Sequence, residues 1–171
     1  MENKINYVTG NALGPDVSGN KIIAHICNNV GAWGAGFVVA ISKKWPGPEQ
    51  SYRDWAGGDL SSNMPYPFKL GYIQFITVDS STVVANMIAQ DNIAYSSPGH
   101  IPIRYDELEK CLNTVAAVAM MEDRSVHMPR IGCGIAGGSW AIIEQIINRT
   151  LVENGVDTYV YTLPGDNSWR D

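Results

Sequence analysis

Two glycine-rich segments are the parts of this sequence best suited to chemistry. One covers residues 28–37 and reads NNVGAWGAGF, and the other covers residues 132–138 and reads GCGIAGG. Each follows an apolar stretch of strand length and precedes a stretch in which apolar residues have helical spacing. Such a loop favours phosphate, because glycine allows close backbone approach and the N–H groups at a helix start attract anions. One such loop is more often a tight turn, whereas two of them predict a diphosphate bound from both sides.

Titratable side chains stand beside these loops. His25 ends a predicted strand just before the first loop, and Asp91 follows the end of another predicted strand. An imidazole can move protons near neutral pH and a carboxylate can orient water, so both are candidates for acid–base catalysis. The alternatives are a buried histidine that hydrogen-bonds within the sheet and an aspartate that belongs to a turn. His127 alternates with apolar residues, and we expect it to be structural.

The elements that must position these residues are strands and helices in alternation. Apolar runs predict strands over residues 5–9, 22–27, 71–78, 82–89, 126–131 and 158–163. Helical spacing and end signals predict helices over residues 36–44, 49–55, 104–121 and 140–153. Several strands are apolar on both faces, which is typical of strands covered by helices on both sides. The predicted fold class is therefore α/β, a three-layer α/β/α sandwich with a central mixed β-sheet.

Length and charge exclude several classes of protein. The chain of 171 residues and 18.7 kDa fits one domain over residues 1–171. Its 12 Lys and Arg against 17 Asp and Glu give a net charge of -5, which argues against binding along a nucleic-acid backbone. No apolar run approaches the roughly 20 residues of a membrane span, and no signal peptide is visible. We expect no membrane association, and a monomer is the expected state.

The cysteines indicate the compartment. Cys27, Cys111 and Cys133 are odd in number and lack CxxC spacing, which is typical of reduced thiols in the cytoplasm. By number alone, Cys27 and Cys133 could join His25 and His127 in a zinc site, but the spacing matches no zinc motif. We expect the cysteines to be core residues, and we expect neither a metal nor another cofactor.

Five short motifs occur in an order that spans nearly the whole chain. They are YVTGN at residues 7–11, AHICNN at 24–29, GAWGAGF at 31–37, MPRIGCGIAGGSW at 128–140 and VYTL at 160–163. Together they resemble a macro domain, the ADP-ribose-binding fold, and most closely its branch of ADP-ribose-1''-phosphate phosphatases and Appr-1''-p processing proteins. This resemblance implies a mixed sheet of about six strands, with ADP-ribose in a cleft across the strand ends.

The resemblance also implies which residues contact ADP-ribose. Gly10, Asn11 and Ala12 would border the adenine, although Gly10 and Asn11 could equally form only a strand-ending turn. The family usually has aspartate where Asn11 stands, so we expect a softer selectivity for adenine. The first loop would lie along the distal ribose and diphosphate, and the second would close over the diphosphate. The residues implied there are Asn28, Asn29, Gly34, Ala35, Gly36 and Phe37, and then Gly132, Cys133, Gly134, Ile135 and Ala136. The two asparagines could instead cap the turn.

The implied activity is hydrolysis of ADP-ribose-1''-phosphate to ADP-ribose and phosphate. His25 matches the histidine of the His-x-x-Asn pattern of the phosphatase branch, and with Asp91 it forms the predicted catalytic pair. The alternative from another functional class is a non-catalytic reader. Such a reader would bind an ADP-ribosylated macromolecule or free ADP-ribose.

A second alternative is an ADP-ribosyl glycohydrolase that removes ADP-ribose from protein or nucleic acid. Gln90 and Ala136 stand where the lysine-dependent group of these enzymes has its lysine and its aspartate. Gln cannot supply the amine that forms a covalent adduct at the anomeric carbon, so these departures argue against that mechanism. Tyr95 and Ser96 are further candidates to border the cleft.

Overall fold

A six-stranded mixed sheet runs through the computed structural model, which describes residues 3–93 and 99–170. The strands are β1 (Asn6–Thr9), β2 (Lys21–Asn28), β3 (Ile73–Thr77), β4 (Thr82–Gln90), β5 (Ser125–Pro129) and β6 (Thr158–Thr162). The helices are α1 (Phe37–Lys44), α2 (Gly47–Ala56), α3 (Tyr105–Glu122) and α4 (Trp140–Thr150), with 3-10 turns at Leu60–Ser62 and Val152–Asn154. Tyr95 and Ser96 lie outside the described residues.

The strand order brings the two glycine-rich segments together. The order across the sheet is β1-β6-β5-β2-β4-β3, and all neighbouring strands are parallel except β3 and β4. The carboxyl ends of five strands therefore lie at one edge of the sheet. Because β2 pairs directly with β5, with Ile22 opposite Val126, the loops that follow these two strands begin side by side.

Each face of the sheet carries its own core. Along β2, Ile22 faces a core shared with α3 and α4, whereas the next residue, Ile23, faces a core shared with α1 and α2. Both side chains are fully buried, as expected for a strand between two helical layers. This arrangement confirms the predicted α/β/α sandwich with a central mixed sheet.

Most predicted element ends differ from the structure by one to three residues, and two of these differences have a local cause. β5 ends at Pro129 rather than at residue 131, because the Ile131 N–H donates to the Pro129 carbonyl at 2.7 Å and turns the chain. α4 ends at Thr150 rather than at residue 153. There the Thr150 hydroxyl donates to the Ile146 carbonyl at 2.7 Å, a side-chain contact that competes with the helical pattern.

Candidate functional site

A cleft of about 470 Å³ opens between the two glycine-rich loops, at the carboxyl ends of β2 and β5. Small-molecule sites usually have volumes of roughly 300–1,000 Å³. The predicted residues that line it are Gly10, Asn11, Ala12, His25, Ala35, Gly36, Phe37, Gly132, Cys133, Gly134, Ile135 and Ala136. In the described part of the chain, the predicted residues that do not line it are Asn28, Asn29, Gly34 and Asp91. The topology thus brings both loops and the end of β1 to one cleft.

The second loop is held open by a tight turn at its base. Gly132 has a φ of 75°, and the Gly138 N–H donates to the Gly132 carbonyl at 2.6 Å. In the stretch between them, no group among residues 3–93 and 99–170 accepts from the N–H groups of Gly134, Ile135 and Ala136. Because an unpaired N–H group is costly to bury and attracts anions, this row of amides is suited to phosphate oxygens.

The first loop ends in the start of α1. Gly36 occupies the N-cap with a φ of 83°, a left-handed conformation that favours glycine. The N–H groups of Ala35 and Gly36 have no acceptor within the described residues. The first amides of a helix also lack partners inside the helix and carry its positive dipole end. The first loop therefore presents a second set of donors to the cleft.

Asn28 holds the first loop in shape. Its Oδ1 accepts from the N–H groups of Val30 at 3.1 Å and Ala32 at 3.0 Å, and its Nδ2 donates to the Ala32 carbonyl at 2.8 Å. The hydroxyl of the buried Tyr52 also donates to Asn28. These contacts match the turn-capping alternative, while the contact of Asn28 with a ribose stays a prediction.

Asn29 and Asp91 connect the ends of β2 and β4. The Asn29 Nδ2 donates to Asp91 Oδ1 at 3.0 Å, and the Asn92 N–H donates to Asn29 Oδ1 at 2.7 Å. The other carboxylate oxygen of Asp91 accepts from Arg104 Nη2 at 3.0 Å. Both oxygens of the predicted catalytic carboxylate are therefore engaged with protein donors.

His25 is 2% exposed and lies under the first loop. Its ring packs edge-on against Trp33 with the centroids 5.4 Å apart, and it also contacts Phe37. Its Nε2 lies 2.5 Å from Asn86 Oδ1 and donates to it, because Asn86 Nδ2 is itself a donor to Gln74. Burial lowers the pKa of His25 to about 4, so the ring is neutral at physiological pH. These contacts match the alternative of a histidine that hydrogen-bonds within the sheet.

His127 contacts Tyr161, which lines the cleft and belongs to the VYTL motif but is not among the residues predicted to contact the ligand. The His127 ring is fully buried and stacks on Tyr159 with the centroids 4.8 Å apart. Its Nδ1 lies 2.8 Å from the Tyr161 hydroxyl, and its Nε2 lies 2.8 Å from the Ser125 hydroxyl. Burial lowers the pKa of His127 to about 4, and this buried network fits the structural role predicted for it.

We expect the free energy of unfolding to fall between about pH 7 and about pH 5. Burial holds the pKa of His25 and His127 near 4 in the folded protein, against an ordinary value of 6.5. In this interval the unfolded chain binds protons that the folded chain does not bind. The two neutral histidines therefore contribute their full stability at pH values above the ordinary pKa of 6.5, and this contribution is lost as the pH falls toward 4. The expected loss at about pH 5 is about 2 kcal/mol per histidine, and urea unfolding at several pH values would measure it.

The variants His25→Asn and His127→Asn test this pH dependence. Each removes one of the two buried imidazoles, so each should remove about half of the loss, whatever its effect on stability at neutral pH. Carboxylates contribute little in this interval because their ordinary pKa values are lower. An unchanged pH dependence in both variants would contradict the assignment of two neutral buried histidines.

Several further residues of the lining lie at or just after the carboxyl ends of strands and outside the two glycine-rich segments. They are Gln90, Arg130, Tyr161, Leu163, Asp166 and Ser168. Three of them come from the segment after β6: Leu163 is the last residue of the VYTL motif, whereas no motif includes Asp166 or Ser168. A signal was present in principle, because ligands bind beyond the carboxyl ends of strands in such sheets. The VYTL motif at residues 160–163 also covers the end of β6.

Two further properties concern the described residues as a whole. None of the helices in the described ranges is long and apolar enough to span a bilayer. Within residues 3–93 and 99–170, no group of three or more His, Cys, Asp or Glu side chains is placed to hold a metal ion.

Comparison with curated proteins identifies distant relatives. A mouse "Chromodomain-helicase-DNA-binding protein 1-like" is 27% identical over 169 residues, which cover 94% of this chain but 18% of that protein. An "ADP-ribose 1''-phosphate phosphatase" from Lodderomyces elongisporus is 24% identical over 170 residues, which cover 93% of this chain and 98% of that protein. No protein-family model matches the chain.

Solved structures include nearer relatives. A Bacteroides thetaiotaomicron protein of unknown function is 48% identical, with 94% of this chain and 98% of that chain covered and a TM-score of 0.87. A macrodomain protein from Streptomyces coelicolor is 42% identical, with 93% of this chain and 99% of that chain covered and a TM-score of 0.79. The resemblance seen in the sequence motifs is confirmed. Because this likeness extends over nearly the whole of both chains, the protein belongs to the macrodomain family.

Proposed function

We propose that the cleft binds ADP-ribose and that the protein hydrolyses ADP-ribose-1''-phosphate to ADP-ribose and phosphate. The observation that carries this proposal is the pair of loops whose N–H groups border one cleft and have no acceptor within residues 3–93 and 99–170. Amides placed in this way can hold a diphosphate, which explains how a chain of net charge -5 can bind a nucleotide. The relative named as an ADP-ribose 1''-phosphate phosphatase supports the choice of substrate.

The reaction needs water to attack phosphorus while the bond to the sugar oxygen breaks and that oxygen gains a proton. Donors that already point at the phosphoryl oxygens stabilise the charge of this transition state without rearrangement. In this proposal the amides of the two loops supply that stabilisation. His25 and Asp91 are the proposed proton donor and water-orienting residue, and their roles depend on the kinetic test below.

Phosphate release from ADP-ribose-1''-phosphate tests the proposed activity. We expect the wild-type protein to release phosphate, and His25→Asn and Asp91→Asn decide the roles of the two side chains. A fall in kcat with ADP-ribose binding retained supports a catalytic role for the residue that was changed. Turnover equal to that of the wild type would assign the changed residue the structural role that its contacts indicate. Failure of the wild type to release phosphate would overturn the phosphatase proposal.

A non-catalytic reader is the second candidate function. The observation that favours it is that His25 Nε2 is engaged by Asn86 and both carboxylate oxygens of Asp91 are engaged, by Asn29 and Arg104. A reader needs only the cleft and its donors. ADP-ribose binding without phosphate release would favour this function, and an ADP-ribosylated macromolecule would then be the partner.

The glycohydrolase alternative has less support. Gln90 lines the cleft, and its Nε2 donates to the Asn92 carbonyl at 2.9 Å. An amide cannot form the covalent adduct that a lysine forms, and Ala136 has no acid to resolve it. Release of ADP-ribose from modified protein or DNA would nevertheless favour this activity over the phosphatase.

We also propose that the protein works in the cytoplasm. Cys27 and Cys111 are buried and form no disulfide within the described residues. Unpaired thiols persist in reducing compartments, which supports this setting.

A further inference from the structure

The segment after β6, residues 163–170, forms one wall of the cleft. Leu163, Asp166 and Ser168 from this segment line it. β6 runs parallel to β1 with Thr162 opposite Thr9, and the Gly10 N–H donates to the Thr162 carbonyl at 2.9 Å. The segment therefore starts beside Gly10 and Asn11, at the end of the cleft proposed for the base of the ligand.

Asn11 is a weak acceptor for an amino group of that base. Its Oδ1 already accepts from the Leu13 N–H at 2.9 Å, and an amide oxygen carries no charge. Hydrogen bonds to charged groups are roughly twice as strong as those between neutral groups. If the cleft distinguishes bases by an amino group, a stronger acceptor must stand nearby.

Asp166 has the properties of that acceptor. Its Oδ1 accepts from the N–H group of Ser168 at 2.9 Å and from the Ser168 hydroxyl at 2.7 Å. These hydrogen bonds lower the pKa of Asp166 below its usual range, so the carboxylate is ionised at neutral pH. No donor in the described part of the chain reaches Oδ2, which leaves one carboxylate oxygen for a ligand.

Arg130 and Trp169 hold this wall in place. The Arg130 guanidinium lies 3.6 Å from the centroid of the Trp169 ring, a cation–π contact, and its Nε donates to the Thr162 hydroxyl at 2.9 Å. The Trp169 Nε1 donates to the Asp166 carbonyl at 3.1 Å. Because the backbone of Asp166 is fixed from both ends, its free oxygen is held ready before the ligand arrives.

We propose that Asp166 accepts a hydrogen bond from the exocyclic amino group of the ligand's base and thereby selects adenine over a purine without that group. This inference rests on the proposed binding of ADP-ribose. It places base selectivity on the segment after β6 rather than on Asn11, whose charged counterpart in related proteins this chain lacks.

The test compares two ligands by calorimetry, ADP-ribose and its analogue with unsubstituted purine in place of adenine. We expect the wild type to prefer ADP-ribose by at least about tenfold, because a hydrogen bond to a charged group is stronger than one between neutral groups. In Asp166→Asn the preference should largely disappear, while the amide oxygen still accepts from Ser168 and preserves the fold. An equal preference in Asp166→Asn and in the wild type would overturn the inference and leave ADP-ribose binding intact.

Asp79→Asn is the matched control. Asp79 Oδ1 accepts from the Ser81 N–H at 2.9 Å, so the same Asp-x-Ser arrangement occurs there, in the turn before β4. That turn lies at the opposite edge of the sheet from the cleft, and the control should keep the wild-type preference. Failure of the wild type to bind either ligand would overturn the proposed function itself, which is a different outcome from lost selectivity.

Discussion

Gly134→Val is expected to weaken ADP-ribose binding by about 100-fold without unfolding the protein. Gly134 lines the cleft, its φ is not left-handed, and an added Cβ meets no atom within 4 Å. The protein can therefore accept a side chain at this position. A diphosphate cannot come close to the loop amides of this variant, because the valine methyl groups occupy the space that its phosphate oxygens need. Calorimetry with ADP-ribose and thermal unfolding of the same sample measure the two effects.

Gly14→Val is the control for this variant. Gly14 also has an ordinary φ and no atom within 4 Å of an added Cβ, but it does not line the cleft. The Gly14→Val variant should therefore bind ADP-ribose with the affinity of the wild type. Binding of wild-type strength by Gly134→Val would show that the second loop does not hold the diphosphate.

Gly132→Ala, two residues earlier in the same loop, should instead destabilise the folded protein. Gly132 has a φ of 75°, and an added Cβ would lie 2.9 Å from Ile143 Cδ1 and 3.0 Å from Ile103 Cδ1. The left-handed backbone and the overpacked core together should lower the free energy of unfolding by about 2–5 kcal/mol. Urea unfolding measures this loss directly.

Gly134→Ala is the matched substitution for that experiment. It adds the same methyl group to the same loop, but into open space and at an ordinary φ. Its free energy of unfolding should stay within about 0.5 kcal/mol of the wild type, as at most unconstrained surface sites. If Gly132→Ala were as stable as Gly134→Ala, the loop would be more adaptable than its packing indicates.

The elements of this fold were predictable because each has a strong local pattern. The apolar runs of β2 and β4 and the spacing along α3 stand out in the sequence, and the structure contains all three. The sequence also shows that each glycine loop follows a strand. It cannot show that β2 and β5 are neighbours, because that pairing depends on contacts between residues about 100 positions apart.

The side-chain roles were harder to predict than the loops. The partner of His25 is Asn86, which is 61 residues away, and no local pattern reveals that hydrogen bond. The same holds for Asn29 and Asp91, which meet only because β2 and β4 end together. Sequence reasoning could therefore state two alternatives for each side chain but could not choose between them.

The wall after β6 illustrates what a motif search overlooks. Residues 163–170 contain no glycine cluster, and their place in the cleft depends on the pairing of β6 with β1 and on the stacking of Arg130 on Trp169. Both are long-range contacts. Asp166 is a candidate ligand contact only because the fold places its carboxylate beside the cleft.

Titration of the wild-type protein with ADP-ribose by calorimetry tests the central claim most directly. The cleft lies at the strand ends, and the loop amides that border it have no acceptor in the described part of the chain. These features predict saturable binding of one ADP-ribose per chain, abolished or strongly weakened in Gly134→Val. The absence of any binding heat at roughly millimolar ADP-ribose, where even a ligand held by only about -4 kcal/mol would be detected, would contradict it.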